Sequence, residues 1–454
     1  MTRWCAGSFD GLIQSDRVSS QPDPQAHPGS DRQLMNRFKA AGHQVLRGED
    51  EHVARPYGNV GDSPGSYYYA RPDFGMKREA YAAARTIAPK LHAYFARRRL
   101  EAIGRSQECL APLPDAESIE AVIDAAFWAS LRREEGYEPR ISLAFVPPDQ
   151  AQHPLMLQRP LPLGPDALTR VAPAVERPGV HLGVWRDQGD LFVWGTTRTI
   201  PVLAFVLEVA APGLLVVKHH RGEESRKFIN VAVLEGDLIK VVDDRASSQP
   251  DCPKLLTSLL GFDSPSSWIQ SLNAMAQLAV SMRAHGRGGS LLVVPAGTDA
   301  WRESIVQPMP YAVSPPFLEL AHLSQQSAGQ MEQHIWQEAF GPTVAAVAGL
   351  TAVDGAVVLT DRYELLGFGA KIARRKGRPQ VEQIMLTEPI EGASPVLVHP
   401  EQLGGTRHLS AAQFIQDQQD AVALVASQDG RFTIFEWSSC EAMVHAHRVD
   451  VLLL

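Results

Sequence analysis

Cysteine is scarce in this sequence, and its spacing offers no metal or redox motif. Only four cysteines occur among 454 residues, at Cys5, Cys109, Cys252 and Cys440. No two of them form a C-x-x-C pair, which argues against a structural zinc site and against a dithiol redox centre. The pattern favours a reducing cytosol.

Long apolar segments and a basic excess are also lacking. The first twenty residues hold no hydrophobic region of secretory length, which argues against export. The most apolar stretch, 201–217, contains Glu208, Pro212 and Gly213 and is slightly shorter than the ~20 residues of a membrane helix. It is predicted to form buried strands. The formal net charge of −8 argues against a nucleic-acid partner. We therefore expect a cytoplasmic protein without a membrane partner.

What the chain does contain is the composition of a globular protein of two or three domains. Apolar residues make up 44% and charged residues 21%, which are ordinary values. Residues 1–72 are rich in Ser, Asp, Pro, Gly and His and are predicted to be a largely disordered tail. Residues 73–262 are predicted to form an α+β domain, and 263–454 a second domain.

Helical and strand patterns alternate within the first of these domains. The segment 76–105 has helical spacing, with Pro89 as a kink or break. A second helix is predicted after Asp115 as N-cap. Between 141 and 243 short β-rich runs follow, including two strands joined at Gln188-Gly189-Asp190.

The second domain is predicted to be α/β, a mixed sheet flanked by helices. A helix, a glycine-rich turn and the strand "SLLVVP" come first. The strand follows the glycines, whereas a P-loop has the reverse order and ends in G-K-[ST], so a Walker-type ATPase is rejected. Two strands then surround the turn Asp361-Arg362-Tyr363, and a helix is predicted within "GGTRHLSAAQFI".

That last stretch, 404–415, combines groups that bind phosphate. A helix N-terminus presents unpaired backbone N–H groups and the positive end of the helix dipole. Thr406 and Ser410 add hydroxyls, Arg407 a guanidinium and His408 an imidazole. The alternative is a capped surface helix whose Arg and His are solvated.

A carboxylate elsewhere in the second domain strengthens the phosphate interpretation. Asp354 precedes the strand "AVVLT" and is followed by Gly355 and Ala356, which let a ligand approach the backbone. Metal-assisted phosphoryl or nucleotidyl transfer needs such a carboxylate to hold Mg²⁺ or Mn²⁺. A turn residue before a strand is the structural alternative.

Taken together, "DGAVVLTDRYELLGFGAKI" and "GGTRHLSAAQFIQDQQDAVALVASQDGRFTIF" resemble the diadenylate cyclase domain found in DisA-type proteins. The family is marked by a D-G-A motif and a G-T-R-H-R motif, and "RGGSLLVVP" is similar to its early strand. The resemblance covers about the last ~190 residues, one domain.

The resemblance implies condensation of two ATP molecules into cyclic di-AMP with release of pyrophosphate. Two active sites would meet face to face, each 3′-hydroxyl attacking the other ATP, so a second copy of the domain is an expected partner. It implies Asp354 as the metal-binding catalytic carboxylate, with Arg407 and His408 also in catalytic positions. The implied nucleotide contacts are Gly355, Ala356, Ile372, Thr406, Arg407, His408, Ser410 and Ser427.

The chain also departs from the family pattern, and alternatives stay open. Leu409 stands where the family usually has arginine, so a degenerate cyclase that binds a nucleotide without turnover is one alternative. A nucleotidyl transferase with another product is a second. The helical wheel places Leu409 opposite the apolar face of its helix, toward the ligand or the partner domain. The basic run 371–378 could attract ATP, although a solvated loop is the simpler account.

Three stretches of the N-terminal domain, "SLRREEGYEPR", "HLGVWRDQGDLFVWGTTR" and "GLLVVKHHRGEESRKFINVAVLEGDLIKVVD", resemble more weakly the sensor domains that precede some bacterial cyclases. The resemblance names no ligand for the sensor. His219-His220 and the pair His445 and His447 lack a third ligand at a metal-binding spacing, so strand or surface positions are predicted for them. Trp185 and Trp194 are predicted to be sheet residues in the core or half-buried.

Overall fold

The computed structural model describes residues 79–103, 109–220, 228–243, 271–325 and 333–454. The predicted tail 1–72 lies outside these ranges, and so do residues 244–253, which are rich in Ser and Pro. The fold is α/β with two mixed β-sheets.

The described ranges contain seven α-helices and seventeen strands. The helices are α1 (Ala82–Ala102), α2 (Ala116–Ser130), α3 (Pro165–Val171), α4 (Ser271–Ala284), α5 (Glu319–Gln325), α6 (Gln333–Leu350) and α7 (Thr406–Asp417). The strands of the first half are β1 (Ile141–Phe145), β2 (Leu155–Pro162), β3 (His181–Asp187), β4 (Asp190–Thr197), β5 (Phe205–Ala211), β6 (Leu214–His220), β7 (Phe228–Glu235) and β8 (Leu238–Val241). Those of the second half are β9 (Gly289–Val294), β10 (Tyr311–Phe317), β11 (Ala356–Thr360), β12 (Leu365–Ala370), β13 (Ile384–Thr387), β14 (Val396–Val398), β15 (Val422–Ala426), β16 (Phe432–Ser438) and β17 (Met443–Arg448).

The N-terminal sheet has eight strands in the order β2-β4-β3-β1-β5-β6-β7-β8. Only the pair β1–β3 is parallel in it. α1 and α2 pack on this sheet through a common core that contains Ile87, Leu91, Ile119, Ile123 and Phe205. The apolar stretch 201–217 supplies β5 and the start of β6, which confirms the prediction of buried strands there.

The C-terminal sheet has nine strands in the order β10-β12-β11-β9-β15-β16-β17-β13-β14. The pairs β9–β11 and β13–β17 are parallel and the remaining pairs antiparallel. α7 lies against β15, β16 and β17 on one face. α4, α5 and α6 share the core on the other face. Along the chain, a helix precedes β9, further helices follow it, and β11–β12, α7 and β15–β16 come after them. This order confirms the predicted sequence of elements.

Local predictions in the first domain are largely confirmed. The Asp115 carboxylate accepts a hydrogen bond of 2.7 Å from the Ser118 amide and caps α2. The turn at Gln188 and Gly189 joins β3 to β4, with φ of 50° and 100°. Pro89 lies inside α1, which continues through it; the missing N–H costs one hydrogen bond but does not end the helix.

The two sheets share apolar contacts and hydrogen bonds. Val216, Val233 and Val242 of the first half belong to the same buried cluster as α4, α6 and the core strands of the second half. Backbone bonds join Asp243 N–H to the Pro389 carbonyl at 3.0 Å and Glu391 N–H to the Val241 carbonyl at 2.8 Å. The boundary between the halves is therefore a packed interface.

No helix within the described ranges is long and apolar enough to cross a membrane.

Candidate functional site

A cavity of about 520 Å³ lies at one end of the central strands of the C-terminal sheet. It is bounded by the starts of β9 and β11, the ends of β12 and β15, and the N-terminus of α7. The two motifs singled out in the sequence, far apart along the chain, meet here.

Small residues on neighbouring strands form the floor of this cavity. Ala370, Ala356 and Ser290 are register partners across β12, β11 and β9, and Ala426 lies on β15 next to them. Their side chains leave room for a ligand above the sheet. Larger residues at these positions would fill the cavity.

Gly355 is required by both backbone conformation and space. Its φ is +111°, and a Cβ there would lie 2.4 Å from the carbonyl carbon of Gly369 on the neighbouring strand. A side chain is therefore excluded on two grounds. The close approach of the two glycines sets the position of the preceding residue, Asp354.

The N-terminus of α7 faces the cavity without a side-chain cap. Gly405 is the N-cap residue and makes no side-chain bond to the first turn. Thr406 and Arg407 are exposed there, and Ser410 is half-buried at the cavity wall. Uncapped amides at the positive end of a helix favour an anion. This arrangement differs from the alternative of a capped surface helix.

His408 is buried and not solvated. It is 3% exposed, and its Nε2 has no hydrogen-bond partner within the part of the chain that the structure describes. Burial lowers its pKa to about 4, with the positive charges of Arg448, Arg431 and Arg407 adding to the effect and Asp429 opposing it. The ring rests against Gly404, where a Cβ would lie 2.5 Å from Nδ1. A neutral imidazole with a buried, unpaired nitrogen is thus held at the cavity wall.

Asp354 lies at the mouth of the cavity beside a lysine. Its carboxylate is 89% exposed, and its Oδ2 is 2.5 Å from the Nζ of Lys371. The hydrogen bond from Lys371, together with the lysine's charge, holds the pKa of Asp354 below its ordinary value. Asp354 is therefore a carboxylate at neutral pH, accompanied by a cation.

Ser427 and Ile372 complete the cavity on opposite sides. Ser427 follows β15, and its side chain donates a hydrogen bond to Asp429, which lowers the pKa of that carboxyl group. Ile372 follows β12 and is half-buried against the core under α7. The cavity thus has a polar wall and an apolar wall.

All nine residues that the resemblance implies for the site line this one cavity. Their roles stay predictions. Two further polar wall residues, Lys371 and Ser290, were not predicted as site residues, although Lys371 belongs to the basic run 371–378 that was considered for attracting ATP. Lys371 directly follows β12, and β12 pairs with β11, the strand that follows Asp354. This position was the signal in the sequence for Lys371. Of the basic run 371–378, Arg375 instead pairs with Glu303 at 2.6 Å, outside this cavity.

The prediction that Leu409 points toward the ligand is wrong, whereas the alternative, a position toward the partner domain, stays a prediction. The structure places Leu409 half-buried against the apolar cluster under α7, and it does not line the cavity. The helix contacts the sheet and also the turn at Pro400–Gln402, so more than one side of it is covered. Leu409 is therefore a packing residue.

The first half of the chain matches a known family in part. Residues 108–198 match the family model described as "Probable sensor domain DACNV". No curated protein matches the chain. The DACNV segment, as we call residues 108–198, contains α2, α3 and the strands β1 to β4.

The DACNV segment has a cavity of its own, of about 520 Å³. It lies between α2, the β2–α3 connection and the β3–β4 hairpin, and Glu117, Asp124 and Asp190 give it an acidic wall. Arg186 at its edge is held by Asp115 at 3.0 Å and by the Ser118 hydroxyl at 2.8 Å. Trp194 is buried and donates to the Val146 carbonyl, which confirms its predicted core position.

The histidine pairs occupy buried strand positions, as predicted. His445 bonds Glu441 at 2.8 Å, and His447 bonds the Thr387 hydroxyl at 2.6 Å. His219 and His220 lie buried on β6. Within the described ranges, no group of three or more His, Cys, Asp or Glu side chains is arranged to hold a metal ion.

Proposed function

We propose that the chain is a diadenylate cyclase, which condenses two ATP molecules into cyclic di-AMP with release of pyrophosphate, under the control of an N-terminal sensor domain. One observation carries the proposal: the residues of two distant motifs line a single cavity, together with a buried imidazole nitrogen that lacks a partner. Either motif alone would be weak support.

The triphosphate is assigned to the N-terminus of α7. The uncapped amides, the Thr406 hydroxyl and the Arg407 guanidinium all favour phosphate oxygens. A hydrogen at Nε2 of the neutral His408 would donate to one of those oxygens, which would satisfy the unpaired buried nitrogen. These contacts would fix the α-phosphate in one orientation, and the adenine would lie on the apolar side near Ile372.

The surroundings of the Asp354 carboxylate fit a bound Mg²⁺ or Mn²⁺ ion. The carboxylate is exposed and ionised, and a cation, Lys371, already lies within 2.5 Å of it. Magnesium is typically held by one or two carboxylates and the substrate's phosphates, so a single Asp suffices. When bound, the metal would lower the pKa of the attacking hydroxyl.

The reaction needs two copies of the chain. Each cavity would hold one ATP, and each 3′-hydroxyl would attack the α-phosphorus of the other ATP, with pyrophosphate leaving. Asp354 and Arg407 are exposed at the cavity mouth, where they are accessible to a second nucleotide. Cytoplasmic location and self-association belong to the same proposal.

The DACNV match supports the regulatory part of the proposal. DACNV is a sensor domain typically associated with diadenylate cyclases. The packed interface between the two sheets provides a physical route by which the state of the sensor could reach the second domain.

The second candidate function is a nucleotide-binding module without turnover. The ion pair between Lys371 and Asp354 favours it, because a lysine at the carboxylate competes with a metal for the same oxygen. Both partners are exposed, and exposed pairs are weak. So weak a pair would not keep Asp354 from holding a metal, and we therefore place the cyclase first.

The test is incubation of the purified full chain with ATP and Mg²⁺ or Mn²⁺, followed by mass spectrometry of the products. We expect cyclic di-AMP from the wild type and a loss on the order of a hundredfold or more in Asp354→Asn. The matched control is Asp299→Asn, which removes an exposed carboxylate outside the cavity.

The outcomes separate the candidates. Absence of any product from the wild type, combined with ATP binding in a calorimeter, would indicate the non-catalytic module. A different adenylated product would indicate a nucleotidyl transferase with another acceptor. Equal activity in wild type and Asp354→Asn would remove Asp354 from the mechanism.

A further inference from the structure

A third cavity lies between the two sheets, and we call it the interface cavity. It has a volume of about 420 Å³. Strands β6, β7 and β8 of the N-terminal sheet form one side, and α4, the β15–β16 turn and the end of β17 form the other. Its cationic wall residues are Lys240, Arg283, Arg431 and Arg448.

Two of these cations are neutralised by carboxylates. Lys240 lies 2.5 Å from the Glu388 carboxylate and 3.8 Å from that of Asp450. Arg431 lies 3.3 Å from Asp429. Glu235 of β7 is a further carboxylate in the cavity wall.

The other two cations, Arg283 and Arg448, form no such close ion pair among the described residues, although the charge of Asp450 acts on both: it opposes the lowering of the pKa of Arg283 by burial, and Arg448 opposes the raising of the pKa of Asp450. Arg283 donates from Nε to the carbonyl of Gly430 at 3.0 Å. Among the described residues, no carboxylate oxygen lies within 4.0 Å of the guanidinium nitrogens of Arg283 or Arg448. The Nε of Arg448 and the Oδ1 of Asp450 are buried without any hydrogen-bond partner. Buried polar atoms of this kind are costly unless a partner satisfies them.

We propose that the interface cavity binds a small oxyanion, a phosphate- or carboxylate-bearing molecule, between Arg283 and Arg448. Guanidinium groups match the geometry of such anions and bind them through charge-assisted hydrogen bonds. The cavity is larger than one phosphate ion requires, which leaves room for an organic part. A hydroxyl or amide on that part would bond the Oδ1 of Asp450.

Such a ligand would contact the β15–β16 turn, which begins at Ser427 in the wall of the candidate functional site. Arg283 holds the Gly430 carbonyl, the Ser427 amide donates to the Arg431 carbonyl at 2.9 Å, and the Ser427 hydroxyl donates to Asp429. An anion that drew Arg283 away from Gly430 would alter the position of Ser427 at the site wall. The effect on turnover rests on the proposed function, whereas anion binding does not.

The test uses full-length Arg407→Ala, in which phosphate binding at the helix N-terminus is weakened. Inorganic phosphate and citrate are titrated separately in a calorimeter, and their relative affinities distinguish a phosphate site from a carboxylate site. We expect one remaining binding event for at least one of these anions. Adding Arg448→Gln should weaken it about ten- to a hundredfold, whereas Arg302→Gln, an exposed arginine outside both cavities, should not.

If Arg448→Gln fails to fold, amide hydrogen exchange tests anion binding in the interface cavity instead. In Arg407→Ala alone, saturating phosphate or citrate should slow amide exchange in 428–431 and 238–242. The proposal is overturned by an affinity unchanged in folded Arg448→Gln, by no binding of either anion, or by unchanged exchange in both segments.

Discussion

At the Asp354 carboxylate, the cation within reach is Lys371. The two residues lie at the same end of the hairpin formed by β11 and β12, since Ala356 and Ala370 are register partners. A metal that binds Oδ2 of Asp354 must therefore displace the ammonium group from that oxygen. Under the proposed function, the lysine would then be available to a phosphate oxygen of the nucleotide.

Removing Lys371 should strengthen metal binding in the absence of nucleotide. In Lys371→Met, Mn²⁺ no longer competes with the ammonium group, and we expect its affinity to rise roughly two- to fivefold, the range for an exposed pair. Electron paramagnetic resonance of free Mn²⁺ measures this. Lys376→Met, an exposed lysine in the same loop, should bind Mn²⁺ as the wild type does. Equal affinities in both variants would show that Lys371 does not compete.

Gly355 should tolerate no side chain. Gly355→Ala adds both an unfavourable φ and a collision with the backbone of Gly369, so we expect a loss of at least about 2 kcal/mol in unfolding free energy. Gly297→Ala is the matched control, because its φ is +77° but no atom lies within 4 Å of the added Cβ. The control should lose only about 1 kcal/mol. Denaturant unfolding compares them, and equal losses would contradict the crowding at Gly355.

Among the elements, β3 carries a buried histidine that makes stability depend on pH. His181 bonds the Ser142 hydroxyl at 2.7 Å, and burial lowers its pKa to about 4. Glu208 opposes the shift, while His220 and Lys218 add to it. The unfolded chain has an ordinary histidine pKa of about 6.5. Between these values only the unfolded state binds the proton, so stability is lost as the pH falls.

His181→Asn should remove this acid sensitivity. Between pH 7 and pH 5 the wild type should lose about 2 kcal/mol more than the variant. Urea unfolding followed by tryptophan fluorescence at the two pH values tests it. The exposed His153, replaced by Asn, should leave the wild-type pH dependence in place. Parallel curves for wild type and His181→Asn would exclude His181 as the cause.

The elements show which features a sequence can predict. The Asp115 cap, the turn at Gln188 and Gly189, and the helix after Gly405 follow from local chemistry, and the structure contains all three. The meeting of Asp354 with Arg407 in one cavity could be predicted only through the family resemblance, because 52 residues of chain lie between them.

Other features depend on packing that a single segment does not encode. Lys371 reaches Asp354 because of the register between β11 and β12, which includes irregularities. Leu409 lies opposite the apolar stripe on a helical wheel, yet it is covered because α7 contacts more than the sheet. Val216 and Val233 look like ordinary strand residues, and nothing local marks them as contacts of the second sheet.

For the whole molecule, the shared core means that the second half depends on the first. Strands β6 and β7 contribute Val216 and Val233 to the cluster that contains Leu278, Met282 and Val451. Removing the first half would expose this apolar surface to water.

A chain beginning at Ser264 should therefore be less stable than one beginning at Lys77. We expect its melting temperature to fall by about 5 °C or more, or the protein to aggregate. Differential scanning fluorimetry and size-exclusion chromatography measure both effects. The chain beginning at Lys77 retains both sheets and is the reference for this comparison. A monodisperse Ser264 chain with an unchanged melting temperature would show that the shared core is dispensable.

The backbone bonds between Val241 and Glu391 and between Asp243 and Pro389 limit how this architecture can be recombined. A chimera that joins a foreign input domain to this C-terminal half within 244–270 would leave the Glu391 amide and the Pro389 carbonyl without partners. It would also leave Glu388 without Lys240. A transplantable unit must bring its own counterpart of β8 and the residues after it. Exchange of the input domain in such proteins therefore requires a matching contact surface on the new domain. The sequence of the connecting peptide alone is not sufficient.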